Sequence, residues 1–342
     1  MRAIAMRAHG GPEVLRAESL PDPAAGPGQV LVRVRSVALN HLDVWVRRGW
    51  EGLKLAWPHI PGSDVAGVVE EVGPGVTAVS RGDEVVLNPG LSCGRCRECL
   101  LGNDPGCRSY AILGEHVSGG YAELVAVPAV NVVPKPRNLS FDEAAAVPLV
   151  FLTAWHAIVV RANVRPGETV LVHAAGSGVG SAAVQIARLL GATVVATAGT
   201  DEKCRRALEL GAQHAVNYEA VDFVQEVKKL TARRGVDVVF EHVGKKTWEK
   251  SLLALASGGR LVTVGATTGH DPPTDLRHVF YRRLSILGST MGAKGELFDV
   301  LRFLSEGKLR PVVDRVLPLS EAAAAQELLS SRAQFGKIVL NP

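Results

Sequence analysis

Four cysteines within fifteen residues carry the clearest chemistry in this sequence. They follow the spacing C-x2-C-x2-C-x7-C on one loop, and they are Cys93, Cys96, Cys99 and Cys107. Four thiolates complete a tetrahedral zinc shell and leave no open coordination position, so the pattern predicts one structural Zn²⁺ per chain. A disulfide framework would spread its cysteines along the chain, whereas these are clustered. The alternative is a loop of four reduced thiols without metal. Cys204, on a predicted helix, is expected to serve packing alone.

A second chemical pattern is a loop of small residues between a predicted buried strand, Thr169–Ala174, and a predicted helix. The loop reads Ala-Ala-Gly-Ser-Gly-Val-Gly from residue 174 to residue 180. Main-chain N–H groups at a helix N-terminus bind a pyrophosphate, and small residues let the backbone approach it. The predicted dinucleotide contacts are Gly176, Ser177, Gly178, Val179 and Gly180. A strict G-x-G-x-x-G would need glycine at positions 175 and 177, so a simple strand-to-helix turn remains the alternative.

The residues after the next predicted strand bear on which dinucleotide binds. An NAD enzyme places Asp or Glu about twenty residues after the glycines to hold the ribose 2′-hydroxyl, but residues 196–200 contain no acid. The acids at 201–202 are expected in the first turn of a helix, where they suit the helix dipole. Thr200, Lys203 and Tyr218 offer hydrogen bonds and positive charge to a 2′-phosphate. This favours NADP(H) over NAD(H), with Lys203 as a solvated helix residue the alternative.

Two regions that differ in their predicted secondary structure carry these candidate sites. Residues 1–130 show short β-type runs separated by Gly/Pro turns, typical of a small all-β barrel. From about residue 150, predicted strands alternate with helices, which indicates an α/β fold with a parallel, doubly wound sheet. After Thr169–Ala174, the predicted strands of this region are 193–198, 215–218, 236–241, 260–264 and 285–287, and its helices are 181–190, 201–210, 222–231 and 247–256. Helices near 295–307 and 320–330 and a strand at 337–340 are predicted to follow.

Composition excludes several classes of protein. The chain has 342 residues, of which 47% are hydrophobic and 21% charged, so it is neither disordered nor fibrous. No apolar run approaches the roughly 20 residues of a membrane span, and the first residues lack a signal-peptide core. The formal charge of +4 is small and no basic block carries aromatic residues, which argues against nucleic acid as a partner. A soluble, cytoplasmic, two-domain protein is expected.

The whole chain resembles the medium-chain dehydrogenase/reductase superfamily. The motifs that carry the resemblance lie at 59–75, 119–127, 153–157 and 174–180, and those at 194–207, 217–218 and 243–251 are most similar to the NADPH:quinone oxidoreductase branch. The resemblance implies a GroES-like β-barrel domain, 1–130 with 288–342, that carries a zinc lobe at 90–108. It also implies a Rossmann domain at 131–287, a homodimer or homotetramer, and a 2′-phosphate held by Thr200, Lys203 and Tyr218.

The catalytic zinc of the superfamily's alcohol dehydrogenases is a separate question. Its ligands there are Cys, His and Cys, often with a Glu after the His, and the matching positions here are Asn40, Ser63 and Leu149, with Asp64 at the Glu. An amide, a hydroxyl and an alkyl chain do not bind zinc as thiolates and imidazole do. The resemblance therefore implies hydride transfer from NADPH to a quinone or enone whose oxygen is polarised by hydrogen bonds.

Four polar residues near these positions each have a functional and a structural interpretation. Asn40 is the predicted hydrogen-bond donor near the nicotinamide, and the alternative is that it caps a local turn. Asp43 is a second candidate at the catalytic site, although a role in organising the loop is preferred. His59 is expected either at a substrate mouth or simply at the surface. Glu241 resembles a position beside the cofactor, and a strand-end carboxylate facing solvent is the alternative.

Three functions remain open from the sequence. The first is an NADP(H)-dependent oxidoreductase that reduces a quinone, enone or related carbonyl without a catalytic metal. The second is a zinc alcohol dehydrogenase with an atypical site built from His41, His59, Asp43 or Asp64. The third is a non-enzymatic NADPH-binding protein. The partner is in each case a small molecule, a carbonyl, quinone or alcohol, and not a membrane or nucleic acid.

Overall fold

The computed structural model describes all 342 residues and divides them between two units, Met1–Leu149 with Ala293–Pro342, and Val150–Gly292. The sequence placed the first boundary at 130/131, nineteen residues earlier. The structure groups these residues with the first unit because strand β9, Val132–Pro134, pairs with Glu84–Leu87 of that unit. No helix in the structure is both long enough and apolar enough to span a membrane.

Seventeen strands and eleven α-helices make up the two units. The strands are β1 Arg2–Ala5, β2 Arg16–Ser19, β3 Gln29–Ala38, β4 Asp64–Val72, β5 Glu84–Leu87, β6 Gly90–Leu91, β7 Ala111–Ile112, β8 Leu124–Pro128, β9 Val132–Pro134, β10 Thr169–Val172, β11 Thr193–Ala198, β12 His214–Asn217, β13 Val236–Glu241, β14 Leu255–Thr263, β15 Ser285–Gly288, β16 Val313–Pro318 and β17 Lys337–Asn341. The helices are α1 His41–Arg48, α2 Arg97–Leu100, α3 Phe141–Ala145, α4 Pro148–Trp155, α5 Gly178–Leu189, α6 Asp201–Glu209, α7 Phe223–Leu230, α8 Trp248–Ala254, α9 Leu276–Tyr281, α10 Lys294–Ser305 and α11 Ala322–Ser330.

The first unit is built on a seven-stranded sheet in which β3 holds the central place. The strand order is β16-β17-β3-β4-β5-β9, and β8 also pairs with β3. The ten residues of β3 are rich in valine, which fits a pleated and buried surface, and most of them are buried. The antiparallel pairing of β17 with β3 sets Val339 opposite Ala38, at the end of β3 that leads to Asn40. Chain segments far apart in sequence therefore meet at this point of the sheet.

The second unit confirms the predicted doubly wound fold. Its six strands follow the order β12-β11-β10-β13-β14-β15, and every pair is parallel. Valine-rich strands such as β10 and β13 are buried on both faces, as parallel sheets require. In such a sheet, ligands bind outside the carboxyl ends of the strands, where β10 and β11 lead into their helices.

Two element boundaries differ from the prediction for identifiable reasons. Helix α5 begins at Gly178 and not at Ser181, because the Ser177 hydroxyl caps it by accepting the N–H of Gly180. Strand β14 begins at Leu255 and not at Arg260. The Gly-Gly pair at 258–259 suggests a turn in the sequence, but Gly258 takes a φ of +78° while the strand continues through it.

Candidate functional site

The four predicted zinc ligands converge on one point. The Sγ atoms of Cys93, Cys96, Cys99 and Cys107 all lie within 4.8 Å of one another. The Sγ of Cys99 lies 3.5 Å from that of Cys96 and 3.9 Å from that of Cys93. Zn–S bonds of about 2.3 Å in a tetrahedron separate the sulfur atoms by about 3.8 Å. The donor set and its spacing therefore fit a structural zinc ion.

A polar cluster anchors the loop that carries these cysteines. Lys294 Nζ donates to Ser92 Oγ at 2.6 Å and lies 3.3 Å from Asp104 Oδ1, and Asp104 Oδ2 accepts the main-chain N–H of Lys294 at 2.8 Å. Burial raises the pKa of Asp104, but the N–H and the charge of Lys294 outweigh burial, so the pKa is lowered overall. One side of the loop is thus fixed by contacts that do not involve a metal.

The small-residue loop after β10 has the close backbone packing that its glycines suggest. Ala174 takes a φ of +45°, and its carbonyl accepts the N–H of Ser177 at 2.9 Å. A Cβ on Gly180 would lie 2.4 Å from the Ala174 oxygen, so only glycine fits there. Helix α5 starts directly after this turn and aims its first N–H groups out of the helix end. The absence of glycine at positions 175 and 177 does not disturb this arrangement.

Thr200, Lys203 and Tyr218 all follow the carboxyl ends of two neighbouring parallel strands, β11 and β12. Thr200 caps α6 by accepting the N–H of Lys203 at 3.2 Å. Tyr218 follows β12 and donates its main-chain N–H to the oxygen of Ala198, the last residue of β11. The Tyr218 ring lies over Gly199, where a Cβ would come within 2.8 Å of its hydroxyl. Thr200 and Tyr218 therefore border the end of β11, where a dinucleotide ribose is expected, and Lys203 lies in the first turn of the helix that follows.

A buried polar cluster surrounds Asn40, one of the positions that match the catalytic zinc ligands. Lys337 Nζ donates to Asn40 Oδ1 at 2.6 Å and to Asp64 Oδ2 at 2.8 Å. Asn40 Nδ2 donates to the same Asp64 oxygen at 3.0 Å, and the other oxygen accepts the main-chain N–H of Leu149 at 2.7 Å. The Ser63 hydroxyl is buried and has no hydrogen-bond partner. An ammonium–carboxylate pair thus lies next to Asn40, one of the three positions that match the metal ligands of the alcohol dehydrogenases.

Asp43 organises the start of helix α1. Its Oδ2 accepts the main-chain N–H of Asn40 at 2.7 Å and the hydroxyl of Tyr121 at 3.2 Å, while Oδ1 has no partner. Burial raises the pKa of Asp43 to about 6, although the Asn40 N–H, the charge of Lys337 and the Tyr121 hydroxyl act in the opposite direction and the charge of Asp64 adds to the rise. The contacts favour the loop-organising interpretation of this residue.

We expect Asp43→Asn to remove one pH dependence of stability. Because the pKa of Asp43 is raised in the folded state, folded protein holds a proton between about pH 4 and pH 6 that unfolded protein has lost. This group therefore stabilises the fold at low pH, and that contribution is lost as the pH rises through 6. Urea unfolding of both proteins at pH 5 and pH 7.5 should show the variant gaining about 1 kcal/mol relative to wild type over this interval. A pH-independent difference would contradict the assignment.

The residues proposed for an atypical zinc site lie against different partners. His59 is buried, and its Nε2 contacts the oxygen of Gly114 at 3.0 Å. Burial lowers the pKa of His59. His41 is the first residue of α1, and the carboxylates of Asp43 and Asp64 make the contacts given above. The cysteine cluster is the one set of three or more His, Cys, Asp or Glu side chains whose ligand atoms converge.

Glu241 is completely buried at the end of β13, so the solvent-facing interpretation is wrong. Sequence reasoning missed two further residues, Lys337 and His173. Lys337 is 4% exposed in an otherwise apolar strand, Lys-Ile-Val-Leu, and a charged residue at a buried register position was the available signal. His173 directly precedes the small-residue loop and is 1% exposed. Its position next to the loop was the signal for it.

Comparison with known proteins gives a consistent result over the whole chain. Residues 26–137 match the alcohol dehydrogenase GroES-like domain, and residues 178–306 match the zinc-binding dehydrogenase family. Quinone oxidoreductase from Rattus norvegicus is 34% identical over 99% of this chain and 97% of its own length. NAD-dependent alcohol dehydrogenase from Sulfolobus acidocaldarius is 34% identical over 99% of both chains.

A solved structure extends the likeness to three dimensions. The crystal structure of an NAD-dependent alcohol dehydrogenase matches with a TM-score of 0.98 and 56% identity, and 100% of each chain is covered. Both units of the fold and the cysteine cluster agree with the family matches. The chain therefore belongs to the medium-chain dehydrogenase/reductase superfamily and is an oxidoreductase of small molecules.

Proposed function

We propose that this enzyme transfers a hydride from NADPH to a quinone, an enone or a related carbonyl, without a metal at the hydride site and with one structural zinc per chain. The observation that carries the proposal is the cluster of Asn40, Asp64 and Lys337. A zinc ion there would have to displace the buried ammonium, and the neighbouring Ser63 and Leu149 offer it no thiolate or imidazole. Quinone oxidoreductases among the relatives support the choice of substrate class.

The chain's own contribution to this reaction is a fixed set of hydrogen-bond donors. NADPH supplies the hydride when bound. Because Lys337 donates to Asn40 Oδ1, the amide is oriented with Nδ2 towards Asp64. The second N–H of Asn40 Nδ2 and the third N–H of Lys337 are then the donors that polarise the substrate oxygen. Asp43 is a positioning residue, since it holds the main chain of Asn40. The proton comes from solvent or from a side chain.

Steady-state assays with a matched variant test this proposal. Purified enzyme should oxidise NADPH with 1,4-benzoquinone or a cyclic enone, and it should contain one zinc per chain. Asn40→Ala should lower kcat by about 100-fold, the usual loss when one oxyanion donor is removed, while the zinc content stays at one. Tight NADPH binding without turnover of any of these substrates would contradict the proposal and favour a non-enzymatic role.

A zinc-dependent alcohol dehydrogenase is the second candidate function. It is favoured by the 56% identity to a structure called an NAD-dependent alcohol dehydrogenase. Two zinc ions per chain, with reversible alcohol oxidation lost on chelation, would establish it against the metal-free proposal. One zinc per chain, with quinone or enone reduction that survives chelation, would exclude it.

The choice of NADPH is proposed from Thr200, Lys203 and Tyr218, which offer hydrogen bonds and a positive charge to a 2′-phosphate. We expect Lys203→Ala to raise the KM for NADPH about tenfold, because a charge-assisted contact to a phosphate is lost, and to leave the KM for NADH unchanged. Lys229→Ala is the control, since Lys229 pairs with Glu226 on the exposed face of α7. Equal effects on NADPH and NADH would show that Lys203 does not read the 2′-phosphate.

We also propose a homodimer or homotetramer that covers the edge of the parallel sheet. Strand β15 pairs on one side only, with β14, and Ile286 on it is 40% exposed. The neighbouring helix α9 exposes Leu276, Phe280 and Tyr281. An unpaired strand beside large apolar side chains is a surface that a second copy would bury. Light scattering should give a mass of two or four chains.

A cytoplasmic location is proposed from the four thiols, which a reducing compartment keeps available for zinc.

A further inference from the structure

A buried chain of hydrogen bonds in the second unit starts at Glu241. Its Oε1 accepts the main-chain N–H groups of Val243 at 2.7 Å and Gly244 at 3.0 Å. The Thr247 hydroxyl lies 3.0 and 2.9 Å from the two carboxylate oxygens, and Ser251 Oγ donates to Oε2 at 2.7 Å. Two main-chain N–H groups and two hydroxyls thus surround the Glu241 carboxylate, and hydrogen bonds from donors favour its ionised form. Glu241 is therefore ionised, and every group that hydrogen-bonds to it must donate.

Because every group in contact with Glu241 donates to it, the positions of the protons on the next side chains follow. Because Ser251 gives its hydroxyl proton to Glu241, its oxygen accepts from His173 Nε2, 2.9 Å away. Burial lowers the pKa of His173 and outweighs the opposing charge of Glu241, whose Oε2 lies 3.8 Å from Nε2, so the ring is neutral. With the proton on Nε2, Nδ1 is an acceptor. Thr197 Oγ1, 3.1 Å from Nδ1, is then the donor.

This series of hydrogen bonds ends at the main-chain N–H groups of the small-residue loop. Thr197 Oγ1 accepts the N–H of Ala174 at 3.3 Å, and the main-chain oxygen of Thr197 accepts the N–H of Ala175 at 2.9 Å. The left-handed conformation of Ala174 costs about 1 kcal/mol for a residue other than glycine. The carbonyl of Ala174 accepts the main-chain N–H of Ser177 and lies close to Gly180. The shape of the loop therefore depends on holding Ala174 in this conformation.

We propose that His173 is a positioning residue for this loop, fixed in its Nε2–H tautomer by Ser251 and Glu241. In that tautomer the Thr197 hydroxyl proton points at Nδ1 and an oxygen lone pair faces the Ala174 N–H. In the other tautomer Nδ1–H would donate to Thr197 Oγ1, and the Thr197 hydroxyl proton would have to turn away from the ring towards another acceptor. The inference rests on the proposed function in that the loop is taken to bind the pyrophosphate of a nicotinamide dinucleotide. Affinity for the dinucleotide then depends on Thr197 and Glu241 on two strands, on Ser251 of helix α8, and on His173 directly after β10.

Fluorescence titration of NADPH and of NADH tests this dependence directly. Thr197→Val keeps the side-chain shape and removes the hydroxyl, so it should raise both dissociation constants about tenfold, while Thr197→Ser should restore them. Ser251→Ala lies one step further from the loop and should raise them about threefold or more. The KM for NADPH should rise in proportion, with kcat at saturation within about twofold of wild type. Thr193→Val, at the opposite end of β11, is the control and should bind both as wild type does.

The tautomer itself gives a second readout that needs no nucleotide. ¹⁵N chemical shifts of histidine-labelled protein should show His173 protonated at Nε2 and bare at Nδ1, and Ser251→Ala should mix the two tautomers. Wild-type dissociation constants in both Thr197→Val and Ser251→Ala would overturn the inference, and so would a wild-type His173 protonated at Nδ1. An enzyme that binds dinucleotide but reduces no quinone or enone would overturn the proposed reaction and leave these comparisons valid.

Discussion

Replacing Lys337 by methionine is expected to lower the free energy of unfolding by about 3–5 kcal/mol, the usual cost of removing one partner of a buried ion pair. The ammonium of Lys337 contacts Asn40 Oδ1 at 2.6 Å and Asp64 Oδ2 at 2.8 Å, and the side chains of Lys337 and Asp64 are 4% and 0% exposed. Methionine fills similar volume, so the loss comes from the charge that remains. Asp64 would keep only the neutral donors of Asn40 and Leu149.

A charge-balanced double variant separates this electrostatic cost from a loss of packing. In Lys337→Met with Asp64→Asn neither charge of this pair remains, so at least half of the lost stability should return. Lys308→Met is the surface control, because its ion pair with Glu306 is exposed, and its effect should stay below about 1 kcal/mol. Urea unfolding at pH 7.5 measures all four proteins. If the double variant were as unstable as the single one, the paired charges would not be the source of the effect.

Cys99→Ser is expected to abolish tight zinc binding. A serine hydroxyl is a neutral oxygen donor in place of a thiolate, and the change removes one of four direct ligands. Changes to groups that merely hold a ligand already weaken metal affinity about 10- to 100-fold, so the loss of a ligand should exceed this. Elemental analysis after dialysis against a chelator should fall from one zinc per chain to nearly none. Residues 93–107 should then become sensitive to proteases, because the metal no longer closes their loop.

Cys204→Ser is the matched control for the zinc experiment. Cys204 is a buried residue of α6 in the second unit and is no part of the cysteine cluster. Its replacement should leave the zinc content at one per chain. Zinc retained by Cys99→Ser at the wild-type level, or lost from Cys204→Ser, would show that the metal is held elsewhere.

The parts of the fold that follow a local pattern could be predicted from the sequence. Strands β11 and β13 lie where valine runs and their flanking turns place them, and helices α6 and α7 agree within about one residue at each end. The zinc cluster could be predicted because its four ligands are adjacent in sequence and need only a loop to converge. The sequence placed β14 late, because a glycine pair within a strand has the same composition as a turn.

The rest of the candidate site depends on contacts between distant segments. Lys337 reaches Asp64 because β17 pairs with β3, across 273 residues of sequence. No local pattern around Lys-Ile-Val-Leu shows which acid it will meet. The same holds for His173, which no local pattern could pair with its partners, because Thr197 lies on a strand and Ser251 on a helix that are both distant in sequence. The burial of Glu241 likewise follows from donors on the segment after it, and a strand-end carboxylate in isolation is compatible with solvent.

The place of β17 between β16 and β3 has a consequence for synthesis on the ribosome. The second unit is one continuous segment, Val150–Gly292, and can fold as soon as it has emerged. The first unit cannot be completed at that stage, because β3 still lacks its neighbour from the segment Ala293–Pro342. Until Lys337 emerges, the carboxylate of Asp64 has no cation to pair with. The nascent chain therefore carries a half-formed barrel with an open edge through most of translation, and this intermediate is the one that chaperones would need to shield.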